Sequence, residues 1–320
     1  MEDGRHLLAN IVNSQIAVHS RYGGVVPEIA SRKHIENIGV VVSQALSAAD
    51  LQLDDIDAIA VTRGPGLIGS LLVGLSFAKA LSYVRNIPYV GIDHMAGHLC
   101  SALLGSRAQL FPAIALIVSG GHSNIYRMTS MTEYRLIGRS RDDAAGEAFD
   151  KAAKILGLDY PGGPVVSRLA VKGNPEAISF PRAWLEENSY DFSFSGIKTA
   201  LANYLSQITR EPDNSHLADI CASYQEAIVE VLAGKTIKAA IDHGISNIVA
   251  AGGVAANPRL RRLLHEKAGQ HGLSVNIPAA EFCTDNAAMV AMAGAIRIAE
   301  EGTLALDTDV YSRSCPEAGY

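Results

Sequence analysis

The chain has little of what marks an exported or membrane-embedded protein. Its four cysteines, Cys100, Cys221, Cys283 and Cys315, are widely scattered and form no C-x-x-C pair. That excludes a disulfide framework and fits reduced thiols in a reducing compartment. The opening Met-Glu-Asp-Gly-Arg-His is too polar for a secretory signal peptide. No apolar run reads as long and uninterrupted enough to span a bilayer, so a cytoplasmic protein with no membrane association is expected. Charge is sparse as well: 19% of residues are charged and the net charge is −6. An acidic total argues against a general nucleic-acid coat protein, although RNA can still bind through a local basic patch or a partner. There is no Walker A loop, no G-x-G-x-x-G and no G-x-S-x-G elbow, which disfavours P-loop, Rossmann and serine-nucleophile readings.

What is present describes a globular α/β chain. With 320 residues, 48% of them hydrophobic, and 29 glycines, two domains of ordinary size are expected. Helical periodicity marks residues 28–49. A short apolar strand at 57–62 meets Gly64-Pro65-Gly66, and a helix then runs to about Arg85. A strand at 88–92 precedes the segment beginning at His94. Strands at 113–118, 123–128 and 134–137 follow, then helices at about 143–157, 164–173, 196–208 and 216–243. The chain closes on a strand at 247–251, a helix at 257–268, a strand at 273–277 and a helix at 285–301. Strand, glycine turn, helix, strand is the signature of α/β layers. We expect a first lobe over 1–110, a second over 111–284, and a C-terminal helix and tail over 285–320 packing back on the first.

The chemistry concentrates in a few places. His94-Met95-Ala96-Gly97-His98 puts two imidazoles one helical turn apart on one face, within reach of one ion. The same spacing also suits a pair satisfied without metal. The helical zinc motif carries Glu directly after the first His as general base; here that residue is Met95, so the site lacks a built-in base. Asp285, opening the last long helix, is a plausible third ligand, or an acidic helix-terminal residue placed there by capping and dipole. Three glycine turns follow apolar strands: Gly64-Pro65-Gly66, Ser119-Gly120-Gly121 and Gly252-Gly253. Glycine at the carboxyl end of a strand lets backbone N–H groups approach a phosphate, or simply makes a tight turn. Asp142 to Lys151 is an acidic stretch in which Glu147, Asp150 and Lys151 share a helical face. It reads either as an acid-rich helix start or as a cleft mouth. Tyr160 to Pro164 is a stiff turn opening a helix. Ser195 reads as a helix N-cap. Lys198 and the cluster Arg259, Arg261 and Arg262 read as a solvated face or as phosphate contacts.

Seven motifs in order, GPGLIGSLLVG, HMAGH, VSGGHS, DDAAGEAFDKAAKILGLDYPGGP, SFSGIKT, AGGVAAN and TDNAAM, resemble the universal tRNA threonylcarbamoyladenosine transferase (TsaD) family, in its bacterial or mitochondrial branch. The likeness covers the chain from Leu8 onward. It implies a duplicated actin-like/sugar-kinase/Hsp70 (ASKHA) fold, two α/β lobes around a nucleotide cleft. It implies transfer of a threonylcarbamoyl group from threonylcarbamoyl-AMP to N6 of adenosine 37 in tRNAs reading codons that begin with adenine. The family's metal ligands fall on His94, His98 and Asp285, holding one divalent ion, Fe2+ first and Zn2+ second. Its substrate contacts fall on Ile117, Val118, Ser119, Gly120, Gly121, Asp150, Gly163 and Asn257. Glu147, Lys151, Ser195, Lys198, Gly252 and Gly253 are further cleft candidates. Besides tRNA, the resemblance implies a smaller inactive paralogue and a small ATPase as partners. The family normally opens with a strand and an acidic loop that precede the point where this sequence starts, so an incomplete first lobe is expected. Two other readings remain at this stage: a metal-dependent peptidase, against which Met95 speaks, and a small-molecule kinase of the same fold.

Overall fold

A computed structural model describes residues 1–104, 110–186, 188–208 and 212–313. In chain order the elements are α1 (Ile16–His19), α2 (Pro27–Ala48), β1 (Ile59–Gly64), α3 (Ile68–Arg85), β2 (Tyr89–Asp93), α4 (His94–Ser101), β3 (Ala113–Val118), β4 (Ser123–Met128) and β5 (Tyr134–Arg139). Then come α5 (Ala145–Ile155), α6 (Gly162–Ala170), α7 (Ser195–Gln207), α8 (Asn214–Asp242), β6 (Asn247–Ala251), α9 (Pro258–Gln270), β7 (Ser274–Asn276), α10 (Ala280–Cys283) and α11 (Ala287–Glu301). They fall into two compact units. The first takes Met1–Arg107, Met131–Glu133 and Asp285–Tyr320; the second takes Ala108–Ser130 and Tyr134–Thr284.

In the first unit β1 and β2 pair in parallel, Ile59 opposite Tyr89 and Thr62 opposite Ile92. They form a two-stranded sheet. α11 packs on both strands and on α4. Gly294 permits that approach, because a Cβ there would fall 2.4 Å from the Ala60 Cβ. Pro27 starts α2 at a position where its missing N–H costs nothing. α3 is, by length and composition alone, long and apolar enough to cross a membrane, although Gly69, Gly74 and Lys79 interrupt its apolar run. Here α3 packs against β1 and α2, while Leu72, Tyr83 and Val84 on it and Ile35 and Val40 on α2 stay exposed.

The second unit is built on a five-stranded sheet in the order β5-β4-β3-β6-β7. β3, β6 and β7 run parallel, and β4 and β5 return antiparallel. Every residue of β3 is buried, which is why its sequence is a continuous apolar run rather than an alternation. α8 lies against β3 and β6 and packs on α6 and α9. It is buried on most sides, and its interior polar residues are paired: the Glu226 carboxylate accepts from Arg259 at 2.6 and 2.7 Å, and Thr236 donates to the Leu232 carbonyl at 2.7 Å. Cys221 and Cys283 are buried free thiols here, as Cys100 is in the first unit; Cys315 lies outside the described residues.

The start of α7 corrects the reading of Ser195 as an N-cap. The cap position is Phe194, with no capping side chain of its own. Asp142, more than fifty residues earlier, does the capping. Its carboxylate accepts from the Phe194 N–H at 2.8 Å, the Ser195 N–H at 3.2 Å, and the Ser193 and Ser195 hydroxyls at 2.5 and 2.7 Å. Partial burial alone would raise the Asp142 pKa; the bonds from Ser193 and Ser195 overcome this and hold it below the ordinary value. A lowered carboxyl contributes stability that is present above its unfolded value and lost as pH falls through the folded one. Asp142→Ala is therefore expected to cost about 1 kcal/mol at neutral pH, the usual worth of a cap. The loss should shrink as acid titrates the wild-type carboxylate, a trend that urea unfolding at several pH values would check.

Candidate metal centre and glycine turns

The metal candidate lies wholly within the first unit. Asp93, the last residue of β2, is the N-cap of α4: its Oδ1 accepts from the N–H groups of Met95 at 2.8 Å and Ala96 at 3.2 Å. The helix it starts brings His94 and His98 onto one face, ring centroids 4.6 Å apart. Asp285 lies two residues ahead of α11. The cap there is Asn286, whose Oδ1 accepts from the Met289 N–H at 2.9 Å. That overturns the alternative in which Asp285 is merely a capping residue, and leaves its carboxylate to face the histidines.

The Asp285 Oδ1 is 3.5 Å from His94 Nε2 and 3.3 Å from His98 Nε2. One ligand atom from each of the three residues lies within 4.8 Å of the others. Asp285 is itself exposed, and the two imidazoles beside it hold its carboxyl well below the usual carboxylate range. For His94 burial lowers the pKa, and the bond and charge of Asp285 outweigh it, so the net shift is upward. His98 is fully buried, and neither of its ring nitrogens has a hydrogen-bond partner. Its approach to Asp285 is close but misdirected for an N–H bond. A buried nitrogen left so costs about 1–3 kcal/mol. A cation among the three ligands would satisfy it. Two imidazoles and one carboxylate, with open positions left over, form a donor set that suits zinc or iron. Met95, in the place where a helical metalloprotease carries its base, is buried.

The second unit gathers most of the other candidates. β3 and β6 are parallel neighbours, so the turns Ser119-Gly120-Gly121 and Gly252-Gly253 leave adjacent strand ends. Gly252 has φ +93°, and a Cβ on it would fall 2.3 Å from the Val118 carbonyl oxygen; only glycine fits. Gly146, in the first turn of α5, is similarly required, with a Cβ position 2.5 Å from the Ser119 carbonyl oxygen. The exposed Gly120 and Gly121 thus stand at the N-terminal end of α5, where helix dipole and N–H groups favour an anion. Ile117 and Val118 are fully buried, so neither offers its side chain to a ligand.

Asp150 and Gly163 are neighbours in the fold. The Asp150 carboxylate accepts from the Gly162 N–H at 2.7 Å and bonds the Gly163 N–H as well. Burial raises its pKa, the two N–H groups lower it, and the nearby Glu147 raises it, for a net upward shift. Glu147 pairs with Lys151 at 2.9 Å, and Lys151 with Asp143 at 2.6 Å. Asn257 is the N-cap of α9, its Oδ1 accepting from Arg259 and Leu260 N–H groups while its amide donates to Gln225 at 2.8 Å. Ser195 has its hydroxyl on Asp142, and Lys198 is exposed on α7.

The arginine cluster is mostly committed to the fold. Arg259 is held by Glu226, with a third contact to Glu266 at 3.3 Å. Arg261 donates to the Ala255 carbonyl at 2.9 Å and to the Pro278 carbonyl. Only Arg262 of the three is exposed, so the cluster is not the open basic face the sequence suggested. Sequence reasoning also passed over Asp93, legible as an Asp directly ahead of a helix, and Gln225 and Asp142, whose partners are too distant in sequence to signal them.

A parallel three-strand ladder with an antiparallel hairpin on one edge, glycine turns at its strand ends, and a separate β/α unit carrying a metal-capable triad define the ASKHA class. The solved full-length HypF in its phosphate- and nucleotide-bound form is similar in fold, with a TM-score of 0.60 over 82% of this chain and 41% of that one at 14% identity. T. kodakarensis HypF gives 0.57 over 78% of this chain and 42% of that one at 14% identity. The family model for TsaD, tRNA N6-adenosine threonylcarbamoyltransferase, matches residues 6–292, and the chain belongs to that family. A tRNA N6-adenosine threonylcarbamoyltransferase of Syntrophotalea carbinolica is 52% identical over 98% of this chain and 91% of its own length. One of Moorella thermoacetica is 54% identical over 92% and 86%.

Proposed function

We propose that the protein transfers the threonylcarbamoyl group of threonylcarbamoyl-AMP to N6 of adenosine 37 in tRNAs that read codons beginning with adenine. Family membership over nearly the whole chain supports the reaction. The observation that carries the site is the triad of His94, His98 and Asp285 around an unsatisfied, fully buried imidazole.

In the reaction the N6 amine attacks the carbamoyl carbon. A C–N bond forms, the C–O bond to the phosphate breaks, and AMP leaves with the electron pair as N6 gives up a proton. The donor is already activated, so positioning and polarisation carry most of the catalysis. A divalent ion, Fe2+ first and Zn2+ second, would polarise a donor oxygen when bound by His94, His98 and Asp285. The chain's own groups divide the rest. The N–H groups of Gly120 and Gly121, at the start of α5, suit the adenylate phosphate and its charge on leaving. Asp150, already bonded to the Gly162-Gly163 turn, presents a carboxylate for a ribose hydroxyl. Asn257 retains one amide hydrogen for the ligand. Asp93 has Oδ1 on two helix N–H groups and Oδ2 on the Tyr311 hydroxyl, and Met95 brings no carboxylate. Nothing on this helix start is thus set to activate water, which would waste the donor.

We place the protein in the cytoplasm with tRNA as acceptor. We further propose a smaller inactive paralogue and a small ATPase as its partners. The exposed apolar residues of α2 and α3, Ile35, Val40, Leu72 and Val84 among them, support a protein partner on that face. Mass spectrometry of nucleosides from tRNA, after depletion and after complementation with this chain, tests the reaction. Threonylcarbamoyladenosine should fall and recover, and an unchanged level on depletion rejects it.

A further inference from the structure

Residues 302–312 leave α11 and run, without helix or strand, from Tyr89 at the amino end of β2 to Arg63 and Asp93 near the carboxyl ends of β1 and β2 in the first unit. The segment is fastened along its length. The Leu304 N–H donates to the Tyr89 carbonyl at 3.0 Å, and the Tyr89 hydroxyl donates to the Ala305 carbonyl at 2.6 Å. Lys79 donates to the Thr308 carbonyl. At its end the Tyr311 N–H donates to the Arg63 carbonyl at 3.0 Å, and the Arg63 guanidinium lies over the Tyr311 ring, 5.4 Å from its centroid. Gly64 makes the seat, since a Cβ there would fall 2.3 Å from the Tyr311 carbonyl oxygen.

The last fastening reaches the metal candidate. The Tyr311 hydroxyl donates to Asp93 Oδ2 at 2.6 Å, the one oxygen of that carboxylate not already spent on capping α4. Asp93 is buried, immediately precedes His94 and starts the helix that carries both histidines. Holding its second oxygen fixes the rotation of the carboxylate, hence the cap, hence the first turn from which His94 projects. The ring of Tyr311 is itself gripped by Arg63 and Gly64, so the hydroxyl is a fixed point rather than a mobile one.

We propose that Tyr311 is a positioning residue for the His94, His98 and Asp285 centre, acting through Asp93, and that the C-terminal strap is thereby part of the metal site. This rests on the metal reading of the triad. It reaches the ligands by the route usual for groups behind a metal site, where a hydrogen bond one residue removed sets the ligand's orientation.

Tyr311→Phe in the full chain removes the hydroxyl and keeps the stacked ring. The measurements are Zn2+ affinity by chelator competition, the visible absorption of the Co2+-loaded protein, and the thermal midpoint of the metal-free protein. Zn2+ affinity should fall about tenfold, the lower end for such groups, with a changed Co2+ spectrum. Asp93→Asn should weaken Zn2+ similarly, and the double variant should be no weaker than either single one. Lys79→Ala, which loosens the strap away from Asp93, should leave affinity unaltered. If the wild-type chain binds no Zn2+, the metal reading itself fails. If it binds and Tyr311→Phe matches it in affinity and spectrum, with or without a lower thermal midpoint, the strap is only structural and the inference is overturned. Additive losses in the double variant overturn the route through Asp93.

Discussion

His98→Ala is expected to lower metal affinity by more than about a hundredfold, beyond the loss typical of groups behind a metal site, and to abolish threonylcarbamoyl transfer without unfolding the chain. The reason lies in the state of the side chain. His98 is fully buried with neither ring nitrogen in a hydrogen bond. Removing it leaves a cavity, a cost on the order of 2–5 kcal/mol for a side chain of about leucine's size. The same change removes polar atoms whose unsatisfied burial costs about 1–3 kcal/mol. The second offsets part of the first, so the metal-free variant should stay folded with a modestly lower midpoint. The difference appears on loading. Wild-type protein at a metal concentration of about a hundred times Kd gains about 2.7 kcal/mol from binding; the variant should gain almost none. Thermal unfolding with and without Zn2+ reads this directly, and a metal-induced shift equal to wild type would overturn the assignment of His98 as a ligand.

The second large effect is expected at Gly252. Its φ of +93° disfavours any side chain, and its Cβ would fall 2.3 Å from the Val118 carbonyl oxygen and 2.7 Å from the carbon bonded to it. Both partners are backbone at the end of β3, pinned by pairing with β4 and β6, so neither can step aside as a flexible side chain would. Gly252→Ala should cost about 3 kcal/mol, combining an unfavourable backbone region with overpacking. It should also depress transfer by moving the two glycine turns apart. The neighbour supplies the control. A Cβ on Gly253 meets only the Thr284 Cγ2, at 4.0 Å, so Gly253→Ala should lie within about 0.5 kcal/mol of wild type. Urea midpoints for the pair check both; equal losses would show that crowding at Val118 is not the cause.

Much of this architecture was legible in advance. The strands Ala113–Val118, Ser123–Met128 and Asn247–Ala251 end where their apolar runs meet Ser-Gly-Gly, turn residues and Gly-Gly, because burial and glycine punctuation act within a few residues. The spacing of His94 and His98 sufficed to place them on one face for the same reason. Ser195 misled because a serine at a helix start competes with a distant carboxylate, and Asp142 takes its hydroxyl together with the N–H groups of Phe194 and Ser195 itself. Arg259 and Arg261 misled because adjacency in sequence says nothing of Glu226 or the Pro278 carbonyl.

The sequence by itself determined the elements, the glycine turns, the histidine pair and, through seven ordered motifs, the family. Each of these rests on periodicity or on residues close together in the chain. Only the tertiary structure decided that Asn286, not Asp285, caps α11, so that Asp285 faces the histidines. It alone left the buried His98 nitrogens without a hydrogen bond, closed the approach of Gly252 to Val118, and set the Tyr311 hydroxyl on Asp93, 218 residues away. These depend on which distant groups share a buried space, and hydrogen bonding and excluded volume resolve that only once the chain has folded.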